Sequence, residues 1–294
     1  MGLDFNTTSG DGIVVYSDHF TFDLGKIYNI GGKAAIHCPD YVRNLTVKNS
    51  EFFNCVDTCV FINSNGAVNS QPESAGHNVI ENNHFHDFTL PTYFSSAIEV
   101  TNDVGTKIVH NEFRNGAHGA IRYNKCIGIR IEYNIFDAIM TKTADFGAVY
   151  TCGSKTHTDN ITRYNIFMNI GYLAIYLDCD SSNQEVYGNI FYGIKSEIAQ
   201  NGGTDNRIDG NVFIGDTGIG STGRGDDGPP TTYMSDNIFI GGEFDSEKLG
   251  TVGENNLCYR LDENPLFVNP SRGDYRFKEG VSVYDIPFDK IGRY

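Results

Sequence analysis

Carboxylates, an arginine and two tyrosines recur at matching places in short strand-like runs of this 294-residue chain. Five such runs are Ala97-Ile98-Glu99-Val100, Ala120-Ile121-Arg122-Tyr123, Ala148-Val149-Tyr150-Thr151, Ala174-Ile175-Tyr176-Leu177 and Glu197-Ile198-Ala199-Gln200. Aligned on the inward Ile or Val, they place Glu99, Arg122, Tyr150, Tyr176 and Ala199 in one outward row. Two residues further on, a second row holds Thr101, Asn124, Cys152, Asp178 and Asn201. Alternate residues of stacked strands share a face, so both rows would form one polar surface. Tyr150 and Tyr176, one rung apart, would offer a platform for a sugar ring. Asp145 precedes the third run, and Asp178 and Asp180 close the fourth. Carboxylates around aromatics suit glycoside hydrolysis. One protonates the leaving oxygen, and the other attacks the anomeric carbon or activates water. His118, just before Gly119-Ala120-Ile121, falls at the mouth of the same face, where it could bind a sugar hydroxyl or assist proton transfer. Read without chemistry, Asp145 is a turn cap ahead of Gly147, His118 a structural turn residue, and Asp178 and Asp180 a solvated strand end. Asp145 and Asp178 differ by seven strand positions. At ~3.3 Å per residue that is too far for a catalytic pair unless the chain bends sharply at Gly147.

The elements that must hold these residues follow from a repeat. Asn-x-Phe occurs at Asn83, Asn111, Asn134, Asn165, Asn189, Asn211 and Asn237, at intervals of 28, 23, 31, 24, 22 and 26 residues, and a looser copy begins at Asn49. Each copy follows a short run such as Lys107-Ile108-Val109 or Ile129-Arg130-Ile131. Period-2 alternation dominates and helical periodicity is absent, so each rung holds at least two strands joined by tight turns. This pattern predicts an all-β fold, a right-handed parallel β-helix of roughly ten rungs. Asn is expected to supply left-handed turn residues and a ladder of stacked amides, and Phe an interior stack. The solenoid is assigned to residues 1–244. Residues 245–294 are assigned to an irregular tail that caps the last rungs and protects the open sheet edge. Long loops are expected at Asn65 to His77, Met140 to Asp145 and Thr156 to Asp159, with a mobile rim loop at Gly218 to Pro230.

Composition narrows the partners. The formal charge is −15, from 22 basic and 37 acidic residues, so phosphates would be repelled and nucleic acid is an improbable partner. Hydrophobic residues make up 39%, enough for a long core, but no run of about 18 apolar residues would span a membrane. No signal peptide is visible at the N-terminus. Seven cysteines include no pair at zinc-finger spacing, and His84 and His86 read as turn residues beside a ladder Phe, so no metal ligands are expected. The oligomeric state is left open.

Ala117-His118-Gly119-Ala120-Ile121, Asp145-Phe146-Gly147-Ala148-Val149-Tyr150, Ala174-Ile175-Tyr176-Leu177-Asp178-Cys179-Asp180, Val186-Tyr187-Gly188-Asn189-Ile190-Phe191 and Asn201-Gly202-Gly203-Thr204-Asp205-Asn206 follow one another in the chain. That ordered set resembles bacterial right-handed parallel β-helix proteins related to glycoside hydrolase family 141. The tail Asn264-Pro265-Leu266-Phe267-Val268, with Asp274-Tyr275-Arg276-Phe277 and Ile286-Pro287-Phe288, is similar to that group's C-terminal end. The resemblance covers roughly residues 75–294. It implies activity on fucosyl or xylosyl linkages in plant polysaccharides through two aspartates, matching Asp145 and either Asp178 or Asp180. Cys179 departs from the family pattern by splitting an Asp-Asp pair. The leading expectation is a glycoside hydrolase acting on an oligo- or polysaccharide and needing no cofactor. A lyase or epimerase on the same fold would use a base such as Arg122, and commonly Ca²⁺ against a uronate. A non-catalytic sugar-binding module is the third expectation.

Overall fold

The structure, a computed structural model, describes residues 3–64, 76–89, 94–194, 196–215, 220–223, 231–241, 251–269, 272, 274–283 and 285–294. Among these, three parallel sheets of eleven, ten and nine strands wrap one core. One coil shows the plan. His84–His86 lies in sheet 1, Ser96–Thr101 in sheet 2 and Lys107–Val109 in sheet 3, before Glu112–Arg114 re-enters sheet 1 beside His84–His86. Each rung therefore holds three strands. The Asn-x-Phe copies form sheet 1, the runs bearing Glu99 to Ala199 form sheet 2, and the short runs before each Asn form sheet 3. The described residues contain no α-helix, only single turns at Leu261–Glu263 and Phe288–Lys290. No helix among them is long and apolar enough to cross a membrane.

Two interior ladders hold the coils in register. Phe52, Phe85, Phe113, Phe136, Phe167, Phe191, Phe213 and Phe239 stack with centroids 4.5–5.0 Å apart, and all are buried. The nearly parallel rings repeat at the rung spacing of about 4.8 Å. Beside them the amide of Asn83 donates to Asn111 at 3.1 Å, Asn111 to Asn134 at 3.1 Å, and so on through Asn237 to Asn256 at 3.0 Å. Each ladder Oδ1 also accepts a backbone N–H from the rung below, which satisfies the buried N–H at these turns. The left-handed residue is not the ladder Asn, as the sequence suggested. It is the residue before it: Asn82 (φ 53°), His110 (56°), Tyr133 (59°), Tyr164 (55°) and Gly188 (64°) among others. The ladder Asn serves the hydrogen bonds, and its neighbour takes the strained backbone.

The described structure moves the assigned boundary and redraws the tail's packing. Thr251–Glu254 and Leu257–Tyr259 still pair with sheets 3 and 1, so the solenoid continues to Tyr259 rather than ending at 244. The tail does not simply cap the last rungs. Leu266, Phe267, Val283 and Ile286 pack on the outward side of sheet 1, against Ile166, Ile190, Val212, Ile214, Ile238 and Ile240. The chain then runs back toward the early rungs. Gly292 N donates to Tyr133 O at 2.8 Å, and Tyr294 N to Asn82 Oδ1 at 3.0 Å. Burial of that apolar stripe, at ~25 cal/mol per Å², favours the tail lying along sheet 1. Of the expected loops, 65–75 and most of 218–230 lie outside the described residues, but Gly220–Gly223 forms the ninth strand of sheet 2 rather than a rim loop.

Candidate active site

The outward rows of sheet 2 have the register that the sequence implies. Glu99 lies beside Arg122, Arg122 beside Tyr150, Tyr150 beside Tyr176, Tyr176 beside Ala199, and Cys152 beside Asp178. The surface is not a solvated ladder, however. Glu99, Tyr150 and Tyr176 are at most 8% exposed, and Ala199 is fully buried. Part of the cover comes from the corner between sheets 1 and 2. Six positions separate Phe113 from Gly119 and Phe167 from Leu173, but eleven separate Phe136 from Gly147. The extra residues fold Phe146 back over the sheet. Its ring lies 3.9 Å from that of Tyr150, four residues on, where extended strand would span ~13 Å. Gly147 and Gly119 permit this approach. A Cβ on Gly147 would sit 2.6 Å from Val149 O, and one on Gly119 would sit 2.4 Å from the Phe146 ring. The chain therefore turns at Phe146-Gly147, one residue after Asp145. Asp145 is exposed, with φ 61°.

Asp178 is the most firmly held carboxylate of the face. Its Oδ2 accepts from Tyr150 Oη at 2.7 Å, and its Oδ1 accepts from Asn201 Nδ2 and Cys179 N, both at 2.8 Å. Burial, then the bond to this carboxylate, pushes the Tyr150 hydroxyl well above its ordinary range, so the phenol keeps its proton and remains a donor. A disulfide from Cys152 to Cys179, Cα–Cα 5.0 Å, staples the two rungs at this point. With their sulfurs bonded, Cys152 and Cys179 do not form a metal site with Asp178. The pairing was readable in principle, because Cys152 lies one rung below the residue that precedes Cys179.

The remaining expected residues are placed differently. Asp180 is 2% exposed and pairs with Lys155 at 3.1 Å, so it does not join Asp178 on the face. His118 is 1% exposed rather than at an open mouth. Its Nδ1 donates to Ser95 O at 2.6 Å and its ring lies 4.2 Å from that of Phe146. Burial holds its pKa below the ordinary histidine value, so it is neutral. The Tyr150 and Tyr176 rings meet edge to face at 68°, not as a flat platform. Glu99 Oε2 lies 3.4 Å from Lys33 Nζ, a partner not foreseen in the sequence, and burial raises its pKa against the pull of Lys33 and Arg122. Among the described residues, Glu99 Oε1 and Arg122 Nε are buried without a hydrogen-bond partner. Asn124 Oδ1 accepts Cys152 N at 2.9 Å, and half-buried Asn201 holds Asp178.

Residues 41–213 match the family model described as right handed beta helix region. The chain belongs to the right-handed β-helix family. No curated protein matches it. Among solved structures this β-helix is similar to XylC in complex with xylose, at TM-score 0.54 and 14% identity, over 85% of this chain and 54% of XylC. It is also similar to a double mutant of the periplasmic alginate epimerase AlgG, at TM-score 0.51 and 10% identity, over 84% of this chain and 75% of that one. The chain thus spans about half the length of XylC. At these identities the likeness is one of fold.

Proposed function

We propose that this β-helix is a carbohydrate-active enzyme that cleaves a glycosidic bond in an oligo- or polysaccharide at the Asp178 edge of sheet 2. The observation that carries the proposal is the Asp178 carboxylate, fixed in place by hydrogen bonds from Tyr150, Asn201 and the Cys179 backbone. Such a group serves as the base or nucleophile of a carboxylate pair. Exposed Asp145, on the bend beside Phe146, is the proton donor in this scheme. XylC, solved with xylose, and AlgG, an alginate epimerase, share the fold, which supports a sugar polymer as substrate. The reaction as drawn needs no cofactor. The test is reducing-sugar release from a panel of neutral and acidic polysaccharides. Activity lost in both Asp178→Asn and Asp145→Asn supports the pair, and full activity in both variants overturns it.

One observation favours a second reading. Arg122 Nε, buried and unpartnered among the described residues near Glu99, could neutralise a uronate carboxylate in a lyase or epimerase, with Ca²⁺ as an added counter-ion. Unsaturated product seen by ultraviolet absorbance, lost in Arg122→Gln and kept in Asp145→Asn, would select it over hydrolysis.

A further inference from the structure

A second cluster of chemical groups lies on sheet 1, outside the face just described. His84 and His86 are not turn residues. They form the two ends of one strand with Phe85 turned into the core, so both imidazoles project outward. Register places Glu51 beside His84 on the preceding rung. One carboxylate oxygen of Glu51, one nitrogen of His84 and one of His86 all lie within 4.8 Å of one another, and all three residues are half-buried.

The hydrogen bonds fix how these groups face each other. His86 Nδ1 lies 2.7 Å from Asp87 Oδ2, which makes Nδ1 the protonated nitrogen in the neutral ring. The lone pair of His86 Nε2 is then directed at Glu51 Oε1, 3.2 Å away. Two acceptors face each other at that distance unless a cation or a proton lies between them. Tetrahedral zinc with bonds of ~2.0–2.1 Å sets its ligand atoms roughly 3.3 Å apart, close to the gap observed. The other oxygen of Glu51 is held by Lys26 Nζ at 2.5 Å, leaving Oε1 for the cluster. His84 Nε2 is buried with no hydrogen-bond partner among the described residues, and the nearest carboxylate, Glu112 Oε2, is 4.0 Å away. An unsatisfied buried nitrogen is costly as it stands, and metal coordination would satisfy it.

We propose that Glu51, His84 and His86 bind a divalent transition-metal ion of the zinc class, with Asp87 orienting His86. Two imidazoles and a carboxylate suit zinc better than calcium or magnesium, which take oxygen ligands. Asp87 stands where a metal-bound histidine characteristically has its carboxylate partner. Three protein ligands leave one position of a tetrahedron for water or substrate. A cleft of about 450 Å³, lined by Lys26, Asn49, Ser50, Glu51, His84 and Arg293, reaches the cluster at that side. Arg293 arrives there because the C-terminal tail runs back along sheet 1 to Asn82. The proposal is independent of the sheet 2 reading.

The experiment uses tag-free protein stripped with chelator, reloaded with Zn²⁺ or Co²⁺ and dialysed. Wild type should retain one equivalent of Zn²⁺ per chain, and the Co²⁺ form should show the visible bands of a four- or five-coordinate site. The double variant His84→Ala, His86→Ala should lose both, at unchanged far-ultraviolet circular dichroism. Asp87→Asn, which keeps all three ligands, should weaken binding about 10–100-fold. Should the double variant misfold, Glu51→Gln and Asp87→Asn carry the test on their own. No retained metal in wild type overturns the proposal. So does retention that is equal in wild type and in every folded variant.

Discussion

The outward faces of sheets 1 and 2 rest on the same interior ladders and are put to different uses. On sheet 1 one outward row reads Glu51, His84 and Glu112 in the early rungs, then Ile166, Ile190, Val212 and Ile238 in the later ones. The apolar half is covered by the tail residues Leu266, Phe267, Val283 and Ile286, while the polar half borders a cleft. On sheet 2 the outward row is buried at Glu99, Tyr150, Tyr176 and Ala199 and half-buried at Arg122, and its chemistry emerges at one edge, where Asp178 meets Asn201 and Tyr150. The lesson is that an outward position in a β-helix is not necessarily a wet one. A stacked row is a continuous strip, and its composition decides whether the chain folds a cover onto it.

The contrast can be broken at four points. The largest effect is expected from Asp178→Asn. If the sheet 2 edge is the chemical one, it lowers turnover by about 10²–10⁴-fold with the melting temperature nearly unchanged. Cys152→Ser with Cys179→Ser comes next. The disulfide closes a loop of 27 residues at that edge, and its loss should cost about 3 kcal/mol in a denaturant titration. An unchanged midpoint would mean that the edge holds itself together without the staple.

Within sheet 1, Ile190→Ala and Glu112→Ala change two members of one row. The covered isoleucine should cost about 2 kcal/mol or more, and the uncovered glutamate within about 0.5 kcal/mol. Equal costs would show that the tail does not protect the later rungs. The smallest effect concerns Glu99, whose pKa burial raises above the ordinary carboxylate value. Its stabilisation is complete below the unfolded-state pKa and is lost as pH rises through the raised folded-state value. Glu99→Gln should therefore gain on wild type as pH increases across that range. Parallel stability curves would place Glu99 in a wetter setting.

Much of this was legible in the residues. The Asn-x-Phe spacing located sheet 1, and alignment on Ile and Val reproduced the sheet 2 register from Glu99 to Ala199, because a two-residue period and a stacked ladder are local rules. The third strand of each rung was visible as a run but not separated as a sheet. The left-handed turn was assigned to the ladder Asn when it belongs to the residue before it, since either position can be written Asn and only backbone geometry tells them apart. The position of Asp178 at a strand end was legible. The withdrawal of Asp180 and His118 was not, since Lys155 and Phe146 reach them through turns whose paths no pairing rule specifies.

The sequence alone determined the repeat, the parallel β-solenoid it implies, the two interior ladders and the residues that share each outward row. These follow from side-chain periodicity and from the need to satisfy buried turns, both of which act within one or two rungs. Only the tertiary structure decided which rows are covered and what meets at their edges. Phe146 folds over Tyr150 because Gly119 and Gly147 leave room for it. The tail lies along sheet 1 because an apolar stripe about five rungs long must leave water somewhere. Glu51 faces His84 and His86 because stacking brings together residues more than thirty positions apart in the chain.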